Sequence, residues 1–338
     1  MTVWSVRRGR LVGPVATVMS VALLAGCGES AVPATEPTDT VSAAPHPRPT
    51  SVRATETVTV TPPAATVTVR PGGGEPVDGT PVVGVGPLLA ASALGQFEAR
   101  FGDAAAVAVA PLNGGEIVTT GDARSPYAWS TAKVLIVALT LQDADGPDGL
   151  NSEQRDLIER ALSSSDNEAA AALHRELESR HGGLQGTADA MTALLRRAGD
   201  SSTEVSTIGR DTYSTYGQTL WSAAEQARFM AALMRGCVLP DSSTQFLRDQ
   251  MGNVVSDQRW GLGDAGSPAF KGGWGPDPDG QYLVRQLGVL RAADGNDYAV
   301  AITARPDDGS FQGGQQLLTE VAQWLNQQVV TAPAPASC

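Results

Sequence analysis

The sequence predicts an α+β fold, in which one antiparallel sheet is flanked by helices and an all-helical lobe stands beside it. Three observations carry this. Strand-like alternation occurs near residues 106–120 and returns at 269–304. Between these segments lie five stretches with apolar residues at helical spacing. A last helical stretch closes the body. Strands at both ends, with helices between and after them, imply one sheet with packed helices and a separate helical lobe.

The elements follow in order. Leu88 to Phe101 is apolar at helical spacing. Ala106-Val-Ala-Val-Ala and Glu116-Ile-Val-Thr-Thr form a strand pair that turns through Asn113-Gly114-Gly115. Helices are expected at Ser130–Leu141, Ser152–Leu162, Asn167–Ser179, Leu184–Arg197 and Ser222–Arg235, all with good helix formers and apolar faces. Strands then resume at Ala269–Trp274, Tyr282–Ala292 and Asp297–Ala304, and a helix runs from about Gln312 to Val330. Gly261-Leu-Gly-Asp-Ala-Gly spells a dinucleotide fingerprint. It opens a strand rather than a helix, so it reads as a loop.

The first residues read as an export signal. Arg7, Arg8 and Arg10 precede an apolar stretch from Leu11 to Ala25, which ends in Leu23-Leu24-Ala25-Gly26-Cys27. This ending resembles a bacterial lipobox, which implies cleavage after residue 26 and a lipid on Cys27. Residues 27–86 are rich in Pro, Thr, Ala, Val and Ser. They bury too little apolar surface to offset their ordering entropy and read as a tether. The folded body is expected at 87–330, with a flexible tail at 331–338. The expected setting is the outer face of a bacterial cell membrane, with the lipid as the anchor.

The formal net charge is -12, and loss of the signal removes three arginines and no acid, taking it to -15. Such a surface is unsuited to nucleic acid or to direct adsorption on anionic lipid. A monomer is expected. In an oxidising setting Cys237 and Cys338 are free to pair.

Of the 24 basic residues only two are lysines, Lys133 and Lys271. An ammonium can lose its proton when buried or crowded by positive charge, whereas a guanidinium cannot. Lys133 closes Ser130-Thr-Ala-Lys at a helix start, where residues three apart share a face and free N–H groups suit a developing oxyanion. Alone, that spacing is a weak signal. Ser165-Asp166-Asn167 reads by itself as a helix N-cap. Lys271-Gly272-Gly273-Trp274 reads by itself as a bend in a strand, open to close backbone approach.

Together, Ser-x-x-Lys, Ser-Asp-Asn and Lys-Gly-Gly in this order resemble the penicillin-recognising serine hydrolases, especially class A β-lactamases. The resemblance covers the whole body, and both lysines fall on family lysine positions. It implies that Ser130 attacks a carbonyl to form an acyl-enzyme. Lys133 accepts the proton or steers a water, and Ser165 relays a proton to the leaving nitrogen. Asn167 binds the substrate's side-chain amide. Lys271 supplies positive potential for a substrate carboxylate and lowers the pKa of Lys133. The oxyanion hole is implied at the N–H groups of Ser130 and Trp274, beside Gly272 and Gly273. Arg285, on the next strand, falls where many relatives bind a carboxylate; a surface arginine is the alternative. No cofactor or metal is implied. The implied partners are β-lactams or peptidoglycan peptides.

Two departures stand out. Gly272 lacks the hydroxyl that usually sits beside the substrate carboxylate, a loss of about 1.5–3 kcal/mol for one hydrogen bond to a charged group. There is no Glu-x-x-Leu-Asn, and the loop from Gly199 to Thr219 offers only Glu204. In class A enzymes that glutamate activates the deacylating water. Acylation is therefore expected, with release of the acyl group in doubt; a binding lipoprotein that keeps the fold is the alternative. His174 and His181 flank a charged helix and are expected to face solvent. Their spacing matches no standard metal site, and no Gly-x-Ser-x-Gly elbow is present.

Overall fold

The computed structural model describes residues 89–112, 115–121, 127–292 and 295–328, all within the unit Asp78–Cys338. The expected signal, tether and tail lie outside the described residues, as does Cys338. Cys237 is disulfide-bonded.

Five strands form one antiparallel sheet: β1 (Ala105–Pro111), β2 (Val118–Gly121), β3 (Ala269–Pro276), β4 (Tyr282–Arg291) and β5 (Asp297–Ala304). Their order is β2-β1-β5-β4-β3, so the first hairpin meets the last strands through the β1–β5 pair. Side chains alternate with period two. Ala108, Ala110, Ala299 and Ala301 face a core shared with most of the helices. Val107, Val109, Val300 and Ile302 face a second core with Phe97, Leu318 and Trp324. The small residues let helices approach one face closely, and the branched residues fill the other.

Helices α1 (Ala91–Phe101) and α8 (Phe311–Gln328) contribute to that second core. The other helices are α2 (Lys133–Asp143), α3 (Ser152–Ser163), α4 (Asn167–His181), α5 (Leu184–Arg197), α6 (Ala223–Met234) and α7 (Asp241–Gly252). In α2 every residue from Lys133 to Leu141 is buried, so this helix is the centre of the helical lobe rather than an amphipathic surface element. A capping box, Asn151 with Gln154, starts α3. Asp166 starts α4 by accepting from the backbone N–H groups of Glu168 and Ala169. Among the described residues no helix is long and apolar enough to cross a membrane.

The structure departs from the sequence reading in three places. The helix expected from Ser130 begins as a 3₁₀ turn, Trp129–Ala132, and becomes α-helical at Lys133. Helix α7 was not expected: Ser242-Ser-Thr is a weak helix opening, and few apolar residues follow it. Neither histidine faces open solvent. His174 is buried against the Tyr216 ring and pairs with Glu178 at 2.8 Å. His181 pairs with Asp143 at 2.9 Å.

Candidate active site

The site is built on the turn ahead of α2. Trp129 has φ +49°, a left-handed conformation that is unfavourable for a bulky side chain and costs about 1–3 kcal/mol. It turns the chain into the 3₁₀ segment carrying Ser130. Neighbours lock the segment in place. Thr131 Oγ1 donates to the Ala128 carbonyl and accepts from Gln226 Nε2 of α6 at 2.8 Å.

Strand β3 lies directly against this turn. A Cβ added at Gly273 would sit 2.9 Å from the backbone nitrogens of both Ser130 and Thr131, so only glycine permits the approach. Because β3 is the edge strand, part of its backbone is not committed to a sheet partner. The main chain of Ser130 therefore sits beside that of the Lys271–Trp274 segment.

The third wall is the α3–α4 junction. Ser165 is also left-handed, at φ +58°. It turns both its carbonyl and its hydroxyl toward Lys133. Lys133 Nζ donates to Ser165 O at 2.6 Å and to Asn167 Oδ1 at 2.8 Å, with Ser165 Oγ and Asp166 O each at 3.3 Å. Because Asn167 presents Oδ1 to Lys133, its Nδ2 is left as a donor on an exposed residue. Lys271 Nζ donates to the same Ser165 Oγ at 2.8 Å and to Gly272 O at 2.7 Å. The chain's two amines thus share one hydroxyl. Asp166 serves as the helix cap while its neighbours face the amines, so the cap and the site are the same three residues.

Both lysines are buried. Burial lowers the Lys133 pKa to about 7, against a smaller opposing pull from Asp166. Burial, and then the neighbouring Lys133, push Lys271 well below the ordinary lysine range. Ser130 Oγ has no hydrogen-bond partner among the described residues. The contact expected between Ser130 and Lys133 is replaced by contacts from Lys133 to the Ser165–Asn167 segment. Neutral Lys133 has two N–H donors and one lone pair. With the donors on Ser165 O and Asn167 Oδ1, the lone pair is free to accept a proton.

Ser130 and Ser165 open into one cleft of about 470 Å³, lined by the aromatic rings of Trp129, Tyr213, Tyr216, Trp274 and Tyr282. Glu168, one residue past Asn167, also lines it. Sequence reasoning missed Glu168, although its place one residue after the Ser-Asp-Asn triplet was a usable signal. Glu204 lines a different groove, is 75% exposed and pairs with Arg196.

Arg285 corrects the expectation made for it. It is neither a cleft residue nor a surface one. It is 0% exposed, and its guanidinium donates to the carbonyls of Tyr127 at 2.7 Å and Trp221 at 2.9 Å. In the β3–β4 register it lies opposite Gly273, which places it behind the site as a brace for the segment leading to Ser130. Among the described residues no cluster of histidine, cysteine and carboxylate side chains could hold a metal.

No curated protein matches the chain in sequence. Solved structures do match its fold. The chromosome-encoded β-lactamase of Vibrio parahaemolyticus is 19% identical, with a TM-score of 0.51 over 69% of this chain and 95% of that one. A β-lactamase from Burkholderia vietnamiensis is 20% identical, with a TM-score of 0.54 over 70% and 94%. A structure described as PBP-A is 19% identical, with a TM-score of 0.51 over 69% and 95%. A sequence model described as the beta-lactamase enzyme family matches residues 144–329, more than half of the chain. That stretch holds Ser165, Asn167 and Lys271 and begins after Ser130 and Lys133. The α+β fold, the order of the three motifs and this match place the chain in the β-lactamase enzyme family.

Proposed function

We propose that this protein is a serine acyl hydrolase of the cell envelope that forms an acyl-enzyme on Ser130. The observation that carries the reading is the sharing of Ser165 Oγ by two buried amines, in a cleft that also opens on Ser130. Ser130 Oγ attacks the substrate carbonyl, and its proton passes to Lys133. The oxyanion forms beside the backbone N–H groups of Ser130 and Trp274, each worth about 10²–10³ in rate. Ser165 then gives its proton to the leaving nitrogen or oxygen and is reprotonated from the lysine side. A β-lactam, a peptide or an ester fits this chemistry.

Release of the acyl group is slow in this reading. The loop from Gly199 to Thr219 lends the cleft Tyr213, Ser214 and Tyr216 but not Glu204. The test is intact-protein mass spectrometry of the soluble body with a small panel of β-lactams and a fluorophosphonate probe. The expected result is a long-lived single adduct that is absent in Ser130→Ala. Labelling by no acyl donor would instead leave a binding lipoprotein with a retained fold. The lipid anchor at Cys27 belongs to the same proposal and rests on the basic start and the Leu-Ala-Gly-Cys ending. Palmitate labelling of the full chain, lost in Cys27→Ser, is the expected outcome.

A further inference from the structure

The charge lining the cleft is unusual for an enzyme that grips anionic substrates. Among the described residues that line it there is no lysine, arginine or histidine, and the one charged side chain is Glu168. The basic side chains nearby are committed elsewhere. Lys271 Nζ donates to Ser165 Oγ and Gly272 O, and Arg285 holds two backbone carbonyls. Arg210 stands behind the Trp129 and Tyr213 walls. Its guanidinium lies 5.6 and 5.1 Å from those ring centroids and donates to Gln218 and to the Pro276 carbonyl.

The two ends of the cleft differ. Beside β3 the wall is aromatic, with Trp274 and Tyr282, and Gly272 offers no hydroxyl. An anion placed there would meet neutral donors only and no cationic side chain among the described lining residues, which leaves its desolvation poorly offset. On the α4 side, the next carboxylate, Asp166, is held by Arg160 at 2.6 Å and by two backbone N–H groups. Glu168 is exposed and makes no ion pair among the described residues. It stands one residue from Asn167, to which the family resemblance assigns the amide on the substrate's acyl side. A fixed charge in a partly enclosed cleft acts more strongly than one on open surface.

We propose that the cleft selects acyl donors carrying a cationic group on the acyl side and no carboxylate beside the scissile bond, with Glu168 reading the cation. This rests on the acylation proposed for Ser130, and the experiment separates the two. Three 4-nitrophenyl esters of matched shape serve as probes. The 4-(trimethylammonio)butanoate is cationic, the 5,5-dimethylhexanoate is its neutral isostere, and the 4-sulfobutanoate is anionic. Acylation rates are compared as ratios within each protein, which removes differences in the active fraction. The cation is expected to react about tenfold faster than its isostere, and the anion slower than both. In Glu168→Gln the ratio of cation to isostere is expected to fall within about twofold.

The matching 4-nitroanilides, binding Ser130→Ala and followed by tryptophan fluorescence, give an arm independent of acylation. The same order of affinity is expected even if no ester reacts. An anion that reacts or binds as well as the cation would overturn the proposal. An unchanged ratio in Glu168→Gln would also overturn it. So would a Glu168→Gln protein in which hydrolysis of all three esters slows alike, since Glu168 would then be activating water rather than reading charge.

Discussion

At the residue scale the chemistry turns on one amine. Lys133 has a lowered pKa of about 7, set chiefly by burial. An amine must be neutral to accept a proton, so acylation of Ser130 is expected to rise with pH through about 7 and then level off. Stopped-flow acylation across pH 5–9 checks this; a flat profile would exclude the amine as base. Stability carries the same sign. Between about pH 7 and the ordinary lysine value the unfolded chain holds a proton that the folded chain has lost, so stability rises with pH across that window and is lowest below it. Lys133→Arg keeps the charge but cannot deprotonate, and is expected to lower acylation by about 10² or more. The pairing of a titratable amine with an otherwise arginine-rich composition was legible in the sequence. The partner actually bonded to Lys133 was not, because a Ser165 backbone in the left-handed region has no sequence signature outside glycine.

At the element scale the site depends on how closely β3 approaches the 3₁₀ turn. Gly273→Ala would drive a methyl into the Ser130 and Thr131 nitrogens. The expected cost is about 1–3 kcal/mol in urea unfolding, together with a loss of acylation as the turn shifts. Gly272 is a contrast. An added Cβ there would meet the Trp260 and Trp274 rings at 3.4 and 3.5 Å, close to ordinary contact. Gly272→Ser is therefore expected to fold and to accelerate acylation by carboxylate-bearing β-lactams about tenfold, measured by adduct formation. The sequence marks Gly272 by its missing hydroxyl and Gly273 only as open to close approach; the packing of β3 against the turn shows what Gly273 meets. His174 was misjudged for a different reason. Ala170, Leu173, His174 and Leu177 form a single inner stripe at helical spacing, so the signal was present but was outweighed by the surrounding charges.

At the scale of the whole molecule, the strands and most helices were legible because their periodicities are strong. Strand β1 is buried along its length and still showed its alternation, in the choice of alanine for one core and valine for the other. The two cores make stability a property of the entire body. Leu139→Ala, within the fully buried α2, is expected to lower stability by about 2–5 kcal/mol, read from urea or thermal unfolding.

Arg285 ties these levels together. One guanidinium holds carbonyls 94 positions apart in sequence, at Tyr127 and Trp221, from a strand in the middle of the sheet half that carries Lys271. Segments fastened to a common anchor open together. In hydrogen–deuterium exchange, the amides around 127–132 and those around 219–223 should therefore become labelled in a single kinetic phase. The same event would loosen the nucleophile's support together with the segment bridged to it at Tyr127 and Leu220.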